Sequence, residues 1–229
     1  MKLIIISPFA PYPPNSGGRI RQWELIKYLG ERHDLTLALF INRGEEKILE
    51  GAFEKVCSEV HMITHAGDTT DRVPPSLPWP MRAYAVEPMK NLMTRLAARG
   101  CDVLITEFIY MAQHRHLFAA PAVLHEHNIE SSIFRQYAEM PEADQAEIFG
   151  IRKDATFWKA TWMMMRRYEN EIWPQFDLRI TVSHLDKQEM DSRCPDGKSM
   201  VAENGVNTKT MRPLDIHHSK NILLVGTMN

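Results

Sequence analysis

Two kinds of segment alternate along this chain. Short, mostly apolar runs rich in β-branched residues recur at 2–6, 35–41, 102–106, 122–125 and 178–182, and between them apolar residues fall at helical spacing. A short run without polar alternation is what a strand needs when both of its faces are buried. In the first unit Ile4, Ile5 and Ile6 predict a strand, and a loop rich in Pro, Gly and Asn runs to Gly18. Ile20, Trp23, Leu25, Ile26 and Leu29 then mark a helix from Arg19 to Gly30, with glycine where a helix would stop. The strand at 35–41 closes a βαβ unit.

The same logic predicts a helix near 45–55, a strand near 56–63, a proline-rich loop from Thr64 to Pro80, and a helix over 81–99. A strand at 102–106, a helix at 110–118 and a strand at 122–125 follow. Two helical stretches separated by Met140-Pro141, a strand at 178–182, a helix after Ser183 and a last short strand at 199–202 complete the series. Repeated βα units predict the α/β class, a doubly wound Rossmann-like parallel sheet with helices on both faces. Right-handed crossovers bring the loops after the strands to one edge, where ligands bind. Chemistry is therefore expected after Ile6, Thr106, His125, Val182 and Ala202. Asn221 to Gly226 reads as a fresh strand, which predicts one domain over 1–210 and, over 211–229, a linker and the first strand of a second α/β domain.

Composition narrows the classes. The chain has 229 residues, 44% hydrophobic and 24% charged, with a net charge of -2, so a globular core is affordable and no global basic field for nucleic acid exists. The apolar run at Met1–Ile6 is too short for a signal peptide, and no stretch reaches the ~18 apolar residues of a membrane span. Cys57, Cys101 and Cys194 are far apart and form no Cys-x-x-Cys pair, so neither a disulfide framework nor a zinc ribbon is expected. A reducing cytoplasm fits that usage.

Two loops carry candidate chemistry. Gly17-Gly18 stands where the first helix exposes unpaired N–H groups, which makes it either a plain glycine turn or a phosphate cradle with Arg19 and Arg21 adding charge. Its spacing matches neither Gly-x-Gly-x-x-Gly nor a P-loop. The second loop is His125-Glu126-His127-Asn128-Ile129-Glu130. His-x-His is a metal-ligand spacing that Glu126 or Glu130 would extend, but no Asp or His partners appear at the other strand ends, so no metal is expected. A metal hydrolase using His125 and His127 is the outlying reading. Asn128 reads as a helix N-cap, Glu130 as a first-turn acid, and His127 as the side chain directed into the cleft. Further on, Trp158, Trp162, Met165, Tyr168 and Ile172 share a helix face while Arg152, Lys159 and Arg166 form a basic stripe, either a solvated face or a contact with anionic lipid.

Taken together the motifs resemble a known family. Pro13-Pro14-Asn15-Ser16-Gly17-Gly18-Arg19-Ile20-Arg21, Glu126-His127-Asn128-Ile129-Glu130-Ser131, Ile180-Thr181-Val182-Ser183-His184, Glu203-Asn204-Gly205-Val206-Asn207 and the terminal Ile222 to Asn229 occur in the order found in the N-terminal half of glycosyltransferase family 4, of GT-B fold. The resemblance implies retaining transfer of a sugar from a nucleotide-sugar donor to a glycan or lipid-linked acceptor hydroxyl, in a cleft between two Rossmann-like domains. It implies that Gly17 and Gly18 approach the donor diphosphate or the reacting sugars and that His127 contacts the donor sugar, with Arg19, Arg21, Asn128 and Glu130 nearby. Fixed N–H dipoles suit the charge that builds on a departing diphosphate. No cofactor is implied beyond the nucleotide sugar as substrate, and the absence of Asp-x-Asp agrees with metal-independent transfer. The family's remaining donor-site residues would lie past Asn229, so the chain alone is expected to be inactive. A cytoplasmic enzyme is implied, either free or peripheral to the inner face of the membrane. Glu203 departs from the pattern, standing where many relatives have proline. The alternative from another class is a non-catalytic glycan- or nucleotide-binding module.

Overall fold

The computed structural model describes residues 1–65, 76–140 and 154–208. Seven strands, β1 (Lys2–Ser7), β2 (Asp34–Ile41), β3 (Glu59–Thr64), β4 (Val103–Glu107), β5 (Ala122–His125), β6 (Leu178–Thr181) and β7 (Ser199–Val201), form one sheet in the order β3-β2-β1-β4-β5-β6-β7. All six pairings are parallel. The order reverses between β1 and β4, so the loops leaving these two strands diverge and open a crevice at the C-terminal edge of the sheet.

The apolar run of β1 divides by the two-residue period of a strand. Leu3 and Ile5 join Ile26, Leu35, Leu37 and Leu39 on one face, and Ile4 and Ile6 join Phe40, Leu104 and Leu124 on the other. Each isoleucine buried this way contributes about 1.5–3 kcal/mol. Helices α1 (Gly17–Gly30) and α2 (Glu46–Leu49) cover the first face. The second is covered by α4 (Glu87–Arg99), preceded by α3 (Trp79–Arg82), and by α5 (Glu130–Glu139), α6 (Ala155–Ile172) and α7 (His184–Arg193). Gly30 ends α1 for a packing reason as well: a Cβ there would overlap the Val56 carbonyl, so only glycine lets the helix sit against that turn.

Several elements differ from the pattern reading. The helix expected at 45–55 stops at Leu49, and Gly51, at φ 71, starts a series of turns. The one at 81–99 is two helices because Pro88, in the first turn of α4, has no N–H to continue a helix from α3. Ile109–Leu117 winds as a 3-10 helix. The strand expected to end at Thr106 runs on to Glu107. Residues 66–75 of the proline-rich loop, Arg152 and the terminal strand at 221–229 lie outside the described residues.

Helix α6 buries Trp158, Met165 and Ile172 as its spacing predicts, with Trp162 and Tyr168 half-buried, and it also buries Glu169 on the same face. Lys159 is exposed, and Arg166 is spent on Glu189 of α7 at 3.3 Å. The three cysteines are free. Among the described residues no helix is long and apolar enough to cross a membrane.

Candidate functional site

The site begins with one register position. Glu107, the last residue of β4, lies opposite His125, the last of β5. Its carboxylate, on a residue 1% exposed, accepts from His125 Nδ1 at 3.0 Å through one oxygen and from His127 Nε2 at 2.9 Å through the other. His125 and His127 share a side because alternate residues of an extended chain do, and their rings lie 4.7 Å apart. Glu126, between them, points through the opposite face to Trp173. Phe108 holds the next position at φ 62, a conformation that side-chain-bearing residues rarely adopt. This backbone lets its ring stack on His127 at 4.0 Å and 10° while its N–H donates to the His125 carbonyl at 2.9 Å.

Arg21, reaching in from α1, settles the hydrogen-bond directions. Its Nε donates to His125 Nε2 at 2.8 Å, so that nitrogen is an acceptor and the His125 proton sits on Nδ1, facing Glu107. The rest of its guanidinium holds the loop after β7 through the carbonyls of Ala202 and Glu203 and the side chain of Asn204. Glu203, the residue that departs from the family pattern, thus contributes only its backbone. Burial would push the Glu107 carboxyl up, but His125 and His127 hold it down at about 2. Burial lowers His127 below its ordinary value, against the pull of Glu107.

Atoms of Glu107, His125 and His127 converge within 4.8 Å, the one such three-residue group among the described residues. The expectation of no metal rested on the lack of Asp or His at the other strand ends and did not consider the glutamate that β4 supplies. Its converging atoms are occupied by two N–H···O bonds, however, and with Arg21 on the far nitrogen the His125 Nδ1 carries a proton where a ligand needs a lone pair.

Above this layer a cavity of about 360 Å³ is lined by Phe9, Ser16, Gly17 and Gly18 after β1, Phe108 after β4, His127 and Asn128 after β5, Val182 after β6 and Asn204 after β7. These are the five loops at which the alternation predicts ligand chemistry. Gly17, Gly18, His127 and Asn128 meet here. Arg19 does not, being paired with Glu45 at 3.3 Å, and Arg21 acts as the clasp just described. Glu130 is buried, accepts from the Tyr110 hydroxyl at 2.6 Å and is pushed by burial up to about 7. Asn128 does not cap α5; Ile129 holds that position without a side-chain bond. Pattern reasoning missed Glu107, Phe108 and Phe9. For Glu107 the available signal was an acid directly following an apolar run.

No family model matches the chain, and no curated protein matches it in sequence. Solved structures do. Phytolacca americana UGT2 complexed with UDP-2fluoro-glucose and pterostilbene superposes with a TM-score of 0.52 at 12% identity, over 90% of this chain and 55% of that one. The fold of this chain thus matches one half of a GT-B structure. A UDP-glucosyltransferase from Polygonum tinctorium capable of glucosylating indoxyl matches with a TM-score of 0.50 at 12% identity, over 90% of this chain and 52% of that one. TcCGT1 in complex with UDP matches at 0.51 and 8% identity, over 94% and 53%. The chain spans about half the length of these proteins, and at such identities the likeness is one of fold.

Proposed function

We propose that this chain is the acceptor-side domain of a retaining, metal-independent glycosyltransferase that moves a sugar from a nucleotide donor to a hydroxyl of a glycan or lipid-linked acceptor. In this reading residues 1–210 form the domain, and 211–229 lead into the donor side. One observation carries the proposal: five strand-end loops converge on a single cavity that sets the N-terminus of α1, at Gly17 and Gly18, beside the ring of His127. That is the edge at which a parallel α/β sheet binds ligands, and the order of five motifs predicts the same residues there. Two of the matched structures, solved with UDP-2fluoro-glucose and with UDP, support a nucleotide sugar as donor.

The geometry suits the transfer. The cavity sets N–H donors against a histidine held by two fixed partners, so the groups meeting the reacting sugar need no reorganisation. Asn204, clasped by Arg21, brings the loop after β7 to the same rim. The test is turnover of the full-length gene product, read as nucleoside diphosphate released from a panel of nucleotide sugars with carbohydrate acceptors. His127→Ala should lower it by about 100-fold or more, the scale of removing a group that acts in the transition state. Unchanged turnover would refute the role given to His127.

A further inference from the structure

Beneath the loop that brings Asn128 to the cavity lies a buried group of acids. Glu126 and Glu130, on the stretch that leads from β5 into α5, and Glu169 of α6 are 2%, 5% and 0% exposed, and they act on one another through their charges. The cation paired with them is Arg193 of α7, 2.6 Å from Glu169. Three carboxylates set against one guanidinium cannot all ionise away from water without burying net charge, so the group holds protons. Glu169 keeps its charge most readily, because it also accepts from the Ser131 N–H at 2.7 Å and the Ser131 hydroxyl at 2.5 Å. Glu126 has only the neutral donors of Trp173 and Ile109. The Tyr168 hydroxyl, buried beside Glu126 without a partner among the described residues, is a spare hydroxyl for the protonated form of that acid.

Glu130 is the member that reaches the cavity. Its Oε2 accepts from the Tyr110 hydroxyl at 2.6 Å, and its carboxyl also bonds the side chain of Asn128, an exposed residue on the cavity wall. An ionised carboxylate only accepts, so both partners donate to it, and Asn128 turns its NH2 inward and its carbonyl oxygen to the cavity. A protonated carboxyl also donates once. Because the Tyr110 hydroxyl has Glu130 as its bonded acceptor among the described residues, it keeps donating to Oε2 and the proton rides on Oε1. Asn128 then offers its oxygen to that proton and its NH2 to the cavity. We infer that Glu130 is a positioning residue which, by taking up or losing a proton, selects whether Asn128 presents a donor or an acceptor to the ligand. The glycosyltransferase reading enters only as the identity of that ligand. The change falls near neutrality, since burial pushes Glu130 up to about 7, helped by Glu169 and opposed by Tyr110 and Asn128. Its other titratable or charged neighbours are Glu126, Tyr137 on α5, Tyr84 between α3 and α4, and Arg193 behind Glu169. On the acid side the cavity favours ligand oxygens that only accept, and on the basic side groups that donate.

The experiment uses the 229-residue chain with ¹⁵N-labelled asparagine and ¹³C-labelled glutamate. Between about pH 5 and about pH 9 the Asn128 NH2 signals should move with one midpoint near 7, shared with the Glu130 carboxyl carbon. Protection of that NH2 from exchange with water, corrected for ordinary base catalysis, should rise about tenfold on the basic side, the worth of one hydrogen bond to a charged group. Glu130→Gln, folded by circular dichroism, imitates the neutral acid and should hold Asn128 in its acid-side state throughout. Glu169→Gln removes a charge that raises Glu130 and should lower the midpoint by about one pH unit. Tyr110→Phe frees the proton to sit on either oxygen, so the Asn128 change should shrink while Glu130 still titrates. An Asn128 amide indifferent to pH, a Glu130→Gln chain that titrates like the parent, or an Asn128 response untouched by both Glu169→Gln and Tyr110→Phe overturns the inference. None of these readouts uses turnover or a nucleotide sugar, so their failure is distinct from that of the enzyme reading, which falls on an active His127→Ala.

Discussion

Glu107 and Glu126 are the same residue type, both buried, at the ends of neighbouring strands on opposite faces of the sheet. Glu107 lies on the cavity side, where burial is outweighed by two imidazole N–H groups and the carboxyl is held at about 2. Glu126 lies on the α5–α6 side. It accepts from Trp173 Nε1 at 2.9 Å and from the Ile109 N–H at 3.2 Å, yet burial together with Glu169 and Glu130 pushes it well above the carboxylate range. Both groups are fully buried, so burial does not account for the difference between them. Neighbours do: the cavity face matches its carboxylate with histidines and Arg21, and the other face sets Glu126 near Glu130 and Glu169, the last paired with Arg193 at 2.6 Å.

The comparison breaks most directly at Glu107. Glu107→Ala leaves two buried imidazole N–H groups without their acceptor and Arg21 without its nearby countercharge, and should cost about 3–5 kcal/mol in a denaturant melt at pH 7, the range for breaking a buried charged pair. A loss under 1 kcal/mol would mean that the carboxylate is not ionised in the fold.

The opposite face should respond in the other direction, and its pH dependence sharpens the contrast. Glu130 titrates at about 7 in the fold against 4.5 as a free group, so its stabilising protonated form is fully populated below 4.5 and lost as pH rises through 7. Glu130→Gln, which keeps a partner for the amphoteric Tyr110 hydroxyl, should match the parent near pH 4.5 and exceed it above pH 7 by up to about 3 kcal/mol. Parallel stability curves across that range would remove the assignment. The smallest effect belongs to Trp173→Phe, which deletes one donor to Glu126 and leaves a small void. About 2 kcal/mol should be lost at pH 7, and Glu126 should be driven further toward its protonated form, as followed by carbonyl infrared bands.

Much of the site was legible before any coordinates. The loops after Ile6, His125, Val182 and Ala202 follow from apolar runs with turn residues behind them, and Gly17, Gly18 and His127 follow from their places in those loops. Glu107 was one residue past the strand as read, because an acid following an apolar run looks like the first residue of a loop. Only its pairing with His125, 18 residues away, makes it the centre of the site. Arg21 shows a different limit. At the start of a helix beside two glycines it reads as a phosphate ligand, and it becomes a clasp because His125 and Asn204, 104 and 183 residues away, occupy its donors. Glu169 falls in phase with Met165 and Ile172 on α6, so its burial was visible in the spacing, while its ion pair with Arg193 was not.

The sequence by itself determined the alternation of strand and helix, the parallel sheet, and the edge on which function sits. These rest on periods of two and 3.6 residues and on local turn chemistry, all expressed within a few positions of the chain. The tertiary structure alone decided which glutamate is charged, which nitrogen of His127 bonds Glu107, and which partners Arg19 and Arg21 take up. Such outcomes depend on desolvation and on partners brought together from distant segments, and neither exists until the sheet has closed them into one layer.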